Sequence, residues 1–257
     1  MIDPWLAALP LLLLLATALW GFASRRADVS VVDVAWGPAF AVVALTLVAA
    51  GGGVRGTRAM LALGAVLLWA VRLALHLGRR WARASGEDRR YAAMRARDPE
   101  GFPRRSLATV FWLQAVLAWL LSVPLAVAVW REGVPGLLGW AGALTFLTGF
   151  AWEAVADAQL ARFRSDPAQR GRVLTSGLWR LSRHPNYFGE IVLWWGFYLL
   201  AADAGGWWTF PAPAAMTLLL LRVSGVPLLE PHLNETRPGY REYAERTPAV
   251  FPRLPGR

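Results

Sequence analysis

The sequence predicts an all-α, polytopic membrane protein with seven transmembrane helices, and three observations lead to this prediction. Apolar residues make up 56% of the 257 residues, and charged residues only 17%. Uncharged runs long enough to cross a bilayer recur along the chain, beginning with PWLAALPLLLLLATALWGFA. Tryptophan is frequent at the ends of these runs, as it is in the interfacial belts of membrane proteins.

The seven candidate spans follow one another with short or basic connections. They lie at about 4–22, 34–51, 58–77, 107–129, 137–156, 187–203 and 207–225. The first run lacks a basic start and a small-residue cleavage site, so we interpret it as a retained helix. The last two runs are separated only by DAGGWW, which predicts a tight hairpin at one membrane surface.

Arginine is unevenly distributed among the connections between spans. The linkers 78–106 and 157–186 and the tail after 226 are rich in arginine, whereas the alternating connections carry little. The positive-inside rule then predicts a cytoplasmic C-terminus and an N-terminus outside, and an odd number of spans preserves the alternation. All 27 basic residues are arginine, as is typical of a GC-rich genome, so we expect a bacterial inner (cytoplasmic) membrane.

Composition also excludes several classes of site. The chain has no Cys, so disulfides, thiolate nucleophiles and Cys-bound metals are excluded. His76, His184 and His232 lie far apart without metal-ligand spacing, and no metal site is predicted. The net charge of +10 is attributed to loops beside membrane lipid, and no nucleic-acid partner is expected.

Polar residues in or beside the first four spans are candidates for function, because charges in a membrane are costly. Asp33, in SVVDVAWG, has two interpretations: a helix N-cap or first-turn acid at the surface, or a residue of a pocket. Arg72, His76 and Arg80 share one helix face at four-residue spacing; a snorkelling arginine explains Arg80 better than the deeper Arg72. Gln114 is expected either to bond a neighbouring helix or to belong to a site.

A second set of polar residues ends the fifth predicted span. Glu153 and Asp157 lie four residues apart at a helix C-terminus, where two acids repel each other and oppose the helix dipole. Arg162 and Arg164 follow directly. The group is either a structural acid–arginine cluster or a polar wall around a ligand.

The stretch SRHPNYFGE contains a third set. Pro185 predicts a turn and a helix start near Asn186, so Asn186 and Glu190 lie one turn apart on one face. Arg183 and His184 precede this helix start, where an anion is favoured, although a basic juxtamembrane anchor would also explain these two residues. The polar tail, EPHLNETRPGYREYAERTPAVFPR, predicts an amphipathic surface helix.

These motifs resemble a superfamily of membrane enzymes. SRHPNYFGE, two following spans and a tail of the form E…GYREY…TP…FP are similar to steroid 5α-reductases, sterol reductases and isoprenylcysteine or phospholipid methyltransferases. With VVDVAWG and GEDRRYAAMR, the whole chain is most similar to the DUF1295 branch nearest the steroid 5α-reductases. Asn186, Tyr187, Phe188, Gly189 and Glu190 match the reductase form of the central motif.

The resemblance implies an NADPH site. Because the chain has no GxGxxG fingerprint, this site is expected in the cytoplasmic part of the helical bundle. The residues it implies around the cofactor are Asn186, Tyr187, Glu190, Arg183, His184, Glu153, Asp157, Arg162, Arg164, Arg80 and Tyr240. It also implies one membrane domain, 1–257, in which 1–130 forms an apolar substrate half and 137–257 the cofactor-binding half.

The implied reaction is hydride transfer from NADPH to the C=C bond of an apolar enone, such as a steroid or another lipid, an oxidoreductase of the 3-oxo-5α-steroid 4-dehydrogenase type. The related enzymes polarise the carbonyl with an acid in the second span and a Tyr in the third. Asp33 matches the acid. The third span offers no Tyr, so His76 or Tyr91 is expected to replace it, and His232 matches a tail His near the nicotinamide.

Two alternatives belong to other functional classes. An S-adenosylmethionine-dependent methyltransferase is the first, because the tail from Glu230 through GYREYAERTPAVFP also resembles that pattern. A non-catalytic lipid-binding membrane protein is the second. Asn186 and Glu190, together with the abundance of arginine, favour the reductase.

Overall fold

The computed structural model describes residues 2–253 and contains helices and turns, with no strand among these residues. The predicted all-α fold class is therefore confirmed. The first helices are α1 (Ile2–Arg26), α2 (Trp36–Ala50), α3 (Gly56–Ala82), α4 (Arg89–Arg97), α5 (Phe102–Ser106), α6 (Leu113–Leu121) and α7 (Val123–Trp130). The later helices are α8 (Leu137–Ser165), α9 (Pro185–Asp203), α10 (Pro211–Leu218), α11 (Val226–Thr236) and α12 (Tyr240–Arg246).

Several of these helices have the length and apolar character of membrane spans, as expected of an integral membrane protein. Within residues 2–253, the four candidate spans are Pro4–Arg26, Val29–Ala50, Gly56–Ala82 and Trp207–Thr236. Phe102–Leu121 and Val123–Trp130 form a fifth if this pair, bent by 47°, is counted as one span. The count of seven spans and the orientation of the termini remain predictions.

The other two predicted spans, 137–156 and 187–203, correspond to parts of α8 and α9. Glu153 and Asp157 interrupt the apolar character of α8, and Asn186 and Glu190 that of α9. Glycine and tryptophan also lower the hydropathy of both helices. The residues proposed for a site are thus among those that reduce the span-like character of these two helices.

Two predicted boundaries differ from those of the structure. A 3₁₀ turn, Val29–Ala35, precedes α2, and its cap is Asp28, which accepts a hydrogen bond from the Ser30 amide at 2.9 Å. The interpretation of Asp33 as the helix cap is therefore wrong. The last predicted span, 207–225, continues to Thr236, because α11 resumes the helix after a break at Ser224 and Gly225.

The described chain divides into two compact units. The first extends through Trp140 and includes Leu200–Ala212, and the second comprises Ala141–Leu199 and the chain from Pro213 onward. In the first unit, α2 packs against α3, α7 packs against both, and α1 packs against α2. Phe40 of α2 meets Trp69 of α3 edge to face, with ring centroids 5.5 Å apart.

A buried ion pair joins three segments of the first unit. Arg58, in the first turn of α3, donates from Nε to Oδ2 of Asp203 at 2.9 Å, and their side chains are only 10% and 9% exposed. Arg58 Nη2 also donates to the Val134 carbonyl at 2.9 Å, and the Gly136 amide donates to Asp203 at 3.1 Å. Since a carboxylate at a helix C-terminus opposes the helix dipole, Arg58 stabilises the end of α9.

In the second unit, α8 and α9 approach each other at backbone distance. A Cβ atom added at Gly189 would lie 2.5 Å from the backbone nitrogen of Glu153, and one at Gly196 would lie 2.5 Å from that of Phe146. The two glycines are about two helical turns apart and therefore share one face of α9. Such small residues allow membrane helices to pack closely.

We expect Gly189→Ala to destabilise the protein, because the added methyl group has no room beside the backbone of α8. The expected cost is about 1–3 kcal/mol, visible as a lower melting temperature in detergent. The matched control is Gly64→Ala in α3, where a Cβ would meet no atom within 4 Å. Equal melting temperatures for Gly189→Ala and the wild type would contradict the close packing.

Removing the charge of Arg58 alone should destabilise the protein more than removing the charges of both Arg58 and Asp203. Arg58→Met leaves the Asp203 carboxylate buried without its cation, at an expected cost of about 3–5 kcal/mol. Adding Asp203→Asn should recover much of this loss in a chemical-denaturation measurement. Arg55→Met is the control, since the Arg55–Glu132 pair is exposed and worth about 1 kcal/mol or less. A double variant no more stable than Arg58→Met would contradict the pairing.

Candidate functional site

The two N-terminal motifs, SVVDVAWG and GEDRRYAAMR, fold against each other in the first unit. The amide of Val29 donates to Glu87 Oε1 at 2.9 Å, and the amide of Asp88 donates to the Ser30 hydroxyl at 2.7 Å. Glu87 also pairs with Arg95 at 2.8 Å. Segments almost 60 residues apart in sequence are therefore joined by side chain-to-backbone hydrogen bonds.

Asp33 lies at the centre of this contact. Its Oδ2 pairs with Arg90 Nη2 at 2.5 Å, and its Oδ1 accepts a hydrogen bond from the Tyr91 hydroxyl at 2.7 Å. Gln114 of α6 donates from Nε2 to the same hydroxyl oxygen at 3.2 Å. Asp33, Tyr91 and Gln114 thus form a continuous chain of hydrogen bonds. Two of the sequence-predicted residues, Asp33 and Tyr91, are brought together.

Burial controls the electrostatics of this group. The Tyr91 ring packs among apolar side chains that include Val32 and Phe111, and it is only 6% exposed. Burial, and then the charge of Asp33, raise the pKa of Tyr91 well above its ordinary value. Burial opposes the charge of Arg90, but Asp33 and Asp88 outweigh it and raise the pKa of Arg90.

A small cleft opens beside Asp33. Its volume is about 80 Å³, and it is lined by Ser30, Asp33, Val34, Leu77, Arg80, Trp81, Ala84, Gly86 and Asp88. Arg80, predicted to contact the cofactor, is exposed and pairs with Asp88 at 3.1 Å. His76 is half-buried on α3, one turn before Arg80. The cleft gives solvent access to the carboxylate that holds Tyr91.

In the second unit, α8 and α9 bring together another predicted pair. Asn186 donates from Nδ2 to Asp157 Oδ1 at 3.2 Å. Asp157 and Glu153 are 5% and 2% exposed, and Glu190 is half-buried one turn beyond Asn186. Arg162 and Arg164 are exposed in the last turn of α8. The end of α8 and the start of α9 thus present a buried carboxylate and a carboxamide near exposed arginines.

Arg183 and His184 are held by a carboxylate from the tail. Glu230 of α11 pairs with Arg183 at 2.9 Å and lies 3.1 Å from Nε2 of His184. Arg183 Nη1 also donates to the Ala244 carbonyl at 2.7 Å. His184 stacks on Tyr187 of α9, with ring centroids 5.2 Å apart. Glu230 and Ala244 thus hold the guanidinium of Arg183, and the cofactor contact expected of it stays a prediction.

Backbone hydrogen bonds complete this attachment of the tail. The amides of Arg183 and His184 donate to the carbonyls of Pro248 and Ala249, both at 2.9 Å. The hydroxyl of Tyr243 lies 2.5 Å from the Trp179 carbonyl. We name this set of contacts, between residues 179–184 and residues 243–250, the tail clamp. The sequence does not predict the tail clamp, because hydrogen bonds between backbone groups leave no residue pattern beyond the prolines of the tail.

Two further predicted residues lie in the tail. Tyr240 is 3% exposed and contacts Tyr243 edge to face, and its expected contact with a cofactor stays a prediction. Burial, followed by the charge of Glu230, raises the pKa of Tyr240. His232 is half-buried on α11, with Nε2 3.5 Å from the Thr236 hydroxyl.

Comparison with known proteins places the chain in a family. The sequence profile described as "Protein of unknown function (DUF1295)" matches residues 19–247. The chain belongs to the DUF1295 family. This family is related to the steroid 5α-reductase-like proteins, and the resemblance drawn from the motifs is confirmed.

The DUF1295 match includes both groups of polar residues described above. It spans Asp33, Tyr91, Asn186 and Glu230, and it ends before the Pro248–Ala249 segment of the tail clamp. An uncharacterized protein of Schizosaccharomyces pombe is 27% identical over 282 positions, covering 99% of this chain and 81% of the relative. No solved structure matches the chain.

We expect Asp33→Asn to lower the pKa of Tyr91, because the variant removes the nearby negative charge and leaves burial as the main cause of the raised value. The measurement is the pH titration of the Tyr91 resonance in protein labelled with [ζ-¹³C]tyrosine, assigned with Tyr91→Phe. Glu100→Gln, at an exposed position of the same unit, is the control and should leave the titration unchanged. The same titration in Asp33→Asn and wild type would contradict the hydrogen bond.

Proposed function

We propose that this DUF1295 protein is an NADPH-dependent membrane reductase that reduces the C=C bond of an apolar enone, such as a steroid or another lipid. The observation that carries the proposal is the hydrogen bond from the Tyr91 phenol to the Asp33 carboxylate. An acid and a phenol in contact match the requirement for a polarising group at the carbonyl oxygen. Tyr91, at the start of α4, supplies the Tyr that α3 lacks.

The residues of the second unit are suited to hold a dinucleotide. The carboxamide of Asn186 and the carboxylate of Glu190 suit the nicotinamide carboxamide, which both donates and accepts hydrogen bonds. Asp157 fixes the Asn186 side chain. The exposed Arg162 and Arg164 suit the phosphates, since guanidinium groups bind phosphate in a bidentate manner.

NADPH, when bound, supplies the hydride that adds to the β-carbon of the enone. The remaining tasks belong to the chain. When the substrate binds, the single O–H of Tyr91 turns from Asp33 to the carbonyl oxygen, where it donates a hydrogen bond and, as negative charge develops there, a proton. Asp33 and Gln114 hold the phenol in place. The apolar helices 1–130 exclude water and admit the substrate from the lipid.

The same proposal includes the membrane topology. Seven spans, with α8 and α9 among them, would place the arginine-rich linkers and the tail in the cytoplasm, where NADPH is available. The exposed arginines at the end of α8 support this orientation. A bacterial inner membrane fits the arginine-only basic composition.

A methyltransferase is the second candidate, favoured by one observation. Arg183, His184, Pro185, Tyr187 and Gly189 also fit the RHPxYxG pattern of the membrane methyltransferases. In such an enzyme, the arrangement of Glu230 with Arg183 and His184 would border an S-adenosylmethionine site.

Ligand-dependent melting of the purified protein distinguishes the two functions. We expect NADPH to raise the melting temperature. At a concentration 100 times Kd, bound NADPH adds about 2.7 kcal/mol to the free energy of unfolding. Asn186→Ala and Glu190→Ala should abolish the increase, because each removes a contact to the nicotinamide. The matched controls are Asn234→Ala and Glu235→Ala, which alter exposed tail residues.

An increase with S-adenosylmethionine but not with NADPH would overturn the reductase proposal. An NADPH-induced increase that persists in both Asn186→Ala and Glu190→Ala would show that the cofactor site lies elsewhere. A comparison with NADH tests whether the arginines recognise the additional 2′-phosphate.

A further inference from the structure

Tyr91, the proposed proton donor, is too deeply buried to regain a proton by direct contact with bulk water. Its side chain is 6% exposed, and its hydroxyl contacts Asp33 on one side and Gln114 on the other. Once the phenol has given up its proton, the next reaction cycle requires another. The amide of Gln114 has no acidic proton to give, so Asp33 is the neighbour that can supply one.

Asp33 is in contact with both the phenol and the solvent. Its side chain is 26% exposed and lines the cleft of about 80 Å³. This volume has room for water. One carboxylate oxygen faces Tyr91 and the other faces Arg90. A proton entering the cleft therefore reaches the carboxylate before it reaches the phenol.

We propose that Asp33 is a proton relay that recharges Tyr91 from water in the cleft, rather than the acid that polarises the substrate carbonyl. This inference rests on the proposed reductase function. Tyr91 gives its proton to the enolate oxygen left by hydride addition, so one O–H bond breaks and another forms. The phenolate then takes a proton from the Asp33 carboxyl group, which has received it from hydronium or buffer acid in the cleft. The net change is one proton from the solvent for each hydride from NADPH.

The charges around Asp33 suit a relay. Arg90 pairs with Oδ2 of Asp33 and leaves Oδ1 in contact with the Tyr91 hydroxyl. Asp88 balances Arg90 at 2.9 Å and Arg80 at 3.1 Å, so the cleft carries both signs of charge beside Asp33. The relay requires a protonated Asp33 only briefly, during the transfer to the phenolate.

Gln114 is a positioning residue in this scheme. Its amide donates to the phenol oxygen and would stabilise the phenolate until the proton returns. A π turn, Leu107–Trp112, immediately precedes α6, which carries Gln114. Such turns rotate the helix that follows and are frequent at functional sites.

Comparison of single and multiple turnovers tests the relay. The assay follows NADPH oxidation with a panel of apolar enones in detergent or nanodiscs. In Asp33→Asn, the first turnover should stay within about threefold of wild type, because Tyr91 still carries its proton. The steady-state rate should fall by about 10²-fold or more, as when general acid–base catalysis is lost. Glu100→Gln should change neither rate.

Chemical rescue provides a second arm. In Asp33→Ala, formate is small enough for the enlarged cleft and should restore the steady-state rate at least tenfold. It should also shift the Tyr91 ¹³Cζ resonance back toward its wild-type position, a readout that needs neither NADPH nor substrate. A melting curve close to that of wild type identifies a folded variant.

Three outcomes would overturn the inference. Equal loss of single and multiple turnovers in Asp33→Asn would assign Asp33 to the hydride-transfer step and not to a relay. If formate changed neither the steady-state rate nor the Tyr91 resonance of Asp33→Ala, the cleft would not communicate with Tyr91. No NADPH oxidation by wild type with any enone would overturn the proposed reductase function itself, and the relay with it.

Discussion

Placing carboxylates among apolar helices is costly, and the architecture of this protein depends on how that cost is met. Three of the acids are paired with an arginine distant in sequence, and each pair is extended by hydrogen bonds to backbone groups or to a Tyr or His. A planar guanidinium has five donors in a fixed geometry, so it can bond a carboxylate and a carbonyl together. The pairs are Asp33–Arg90, Asp203–Arg58 and Glu230–Arg183.

These pairs also fix the positions of the groups proposed for chemistry. The Arg90 contact orients Asp33, and Asp33 in turn holds the Tyr91 hydroxyl. The ion pair between Arg183 and Glu230 joins the segment before α9 to the tail. It thereby helps to fix His184 and the start of α9, which carries Asn186. Structural ion pairing and site geometry therefore come from the same contacts, and the two alternatives considered for the acidic residues, structural or functional, are not exclusive.

Much of this could be predicted from the sequence, for identifiable reasons. Apolar runs give the helical class, and a polar residue in or beside such a run is conspicuous, as Asp33, Asp157 and Asn186 are. Tyr91, which contacts Asp33, is one of the two residues expected to replace the Tyr that the third span lacks. Its partner Gln114 is recognisable as a polar residue in a predicted span, but apolar periodicity does not reveal which residue it bonds.

Other features depend on tertiary geometry that residue types do not encode. Arg58 lies in a sparsely charged part of the sequence, yet it is buried against Asp203, 145 residues away. The glycine face of α9 lies within an apolar run, where glycine carries no pattern distinct from other small residues. The bounds of the last span were misjudged because α11 mixes apolar and polar residues beyond a local break.

The tail clamp has a consequence for how the protein matures during synthesis. Ser182 bonds carbonyls at Ala249 and Val250, 67 and 68 residues later in the chain. The start of α9 therefore leaves the ribosome long before the segment that secures it. A nascent chain arrested in between would hold α9 without the contacts that fix the segment before it. Attachment of the start of α9 to the tail is thus a late folding event.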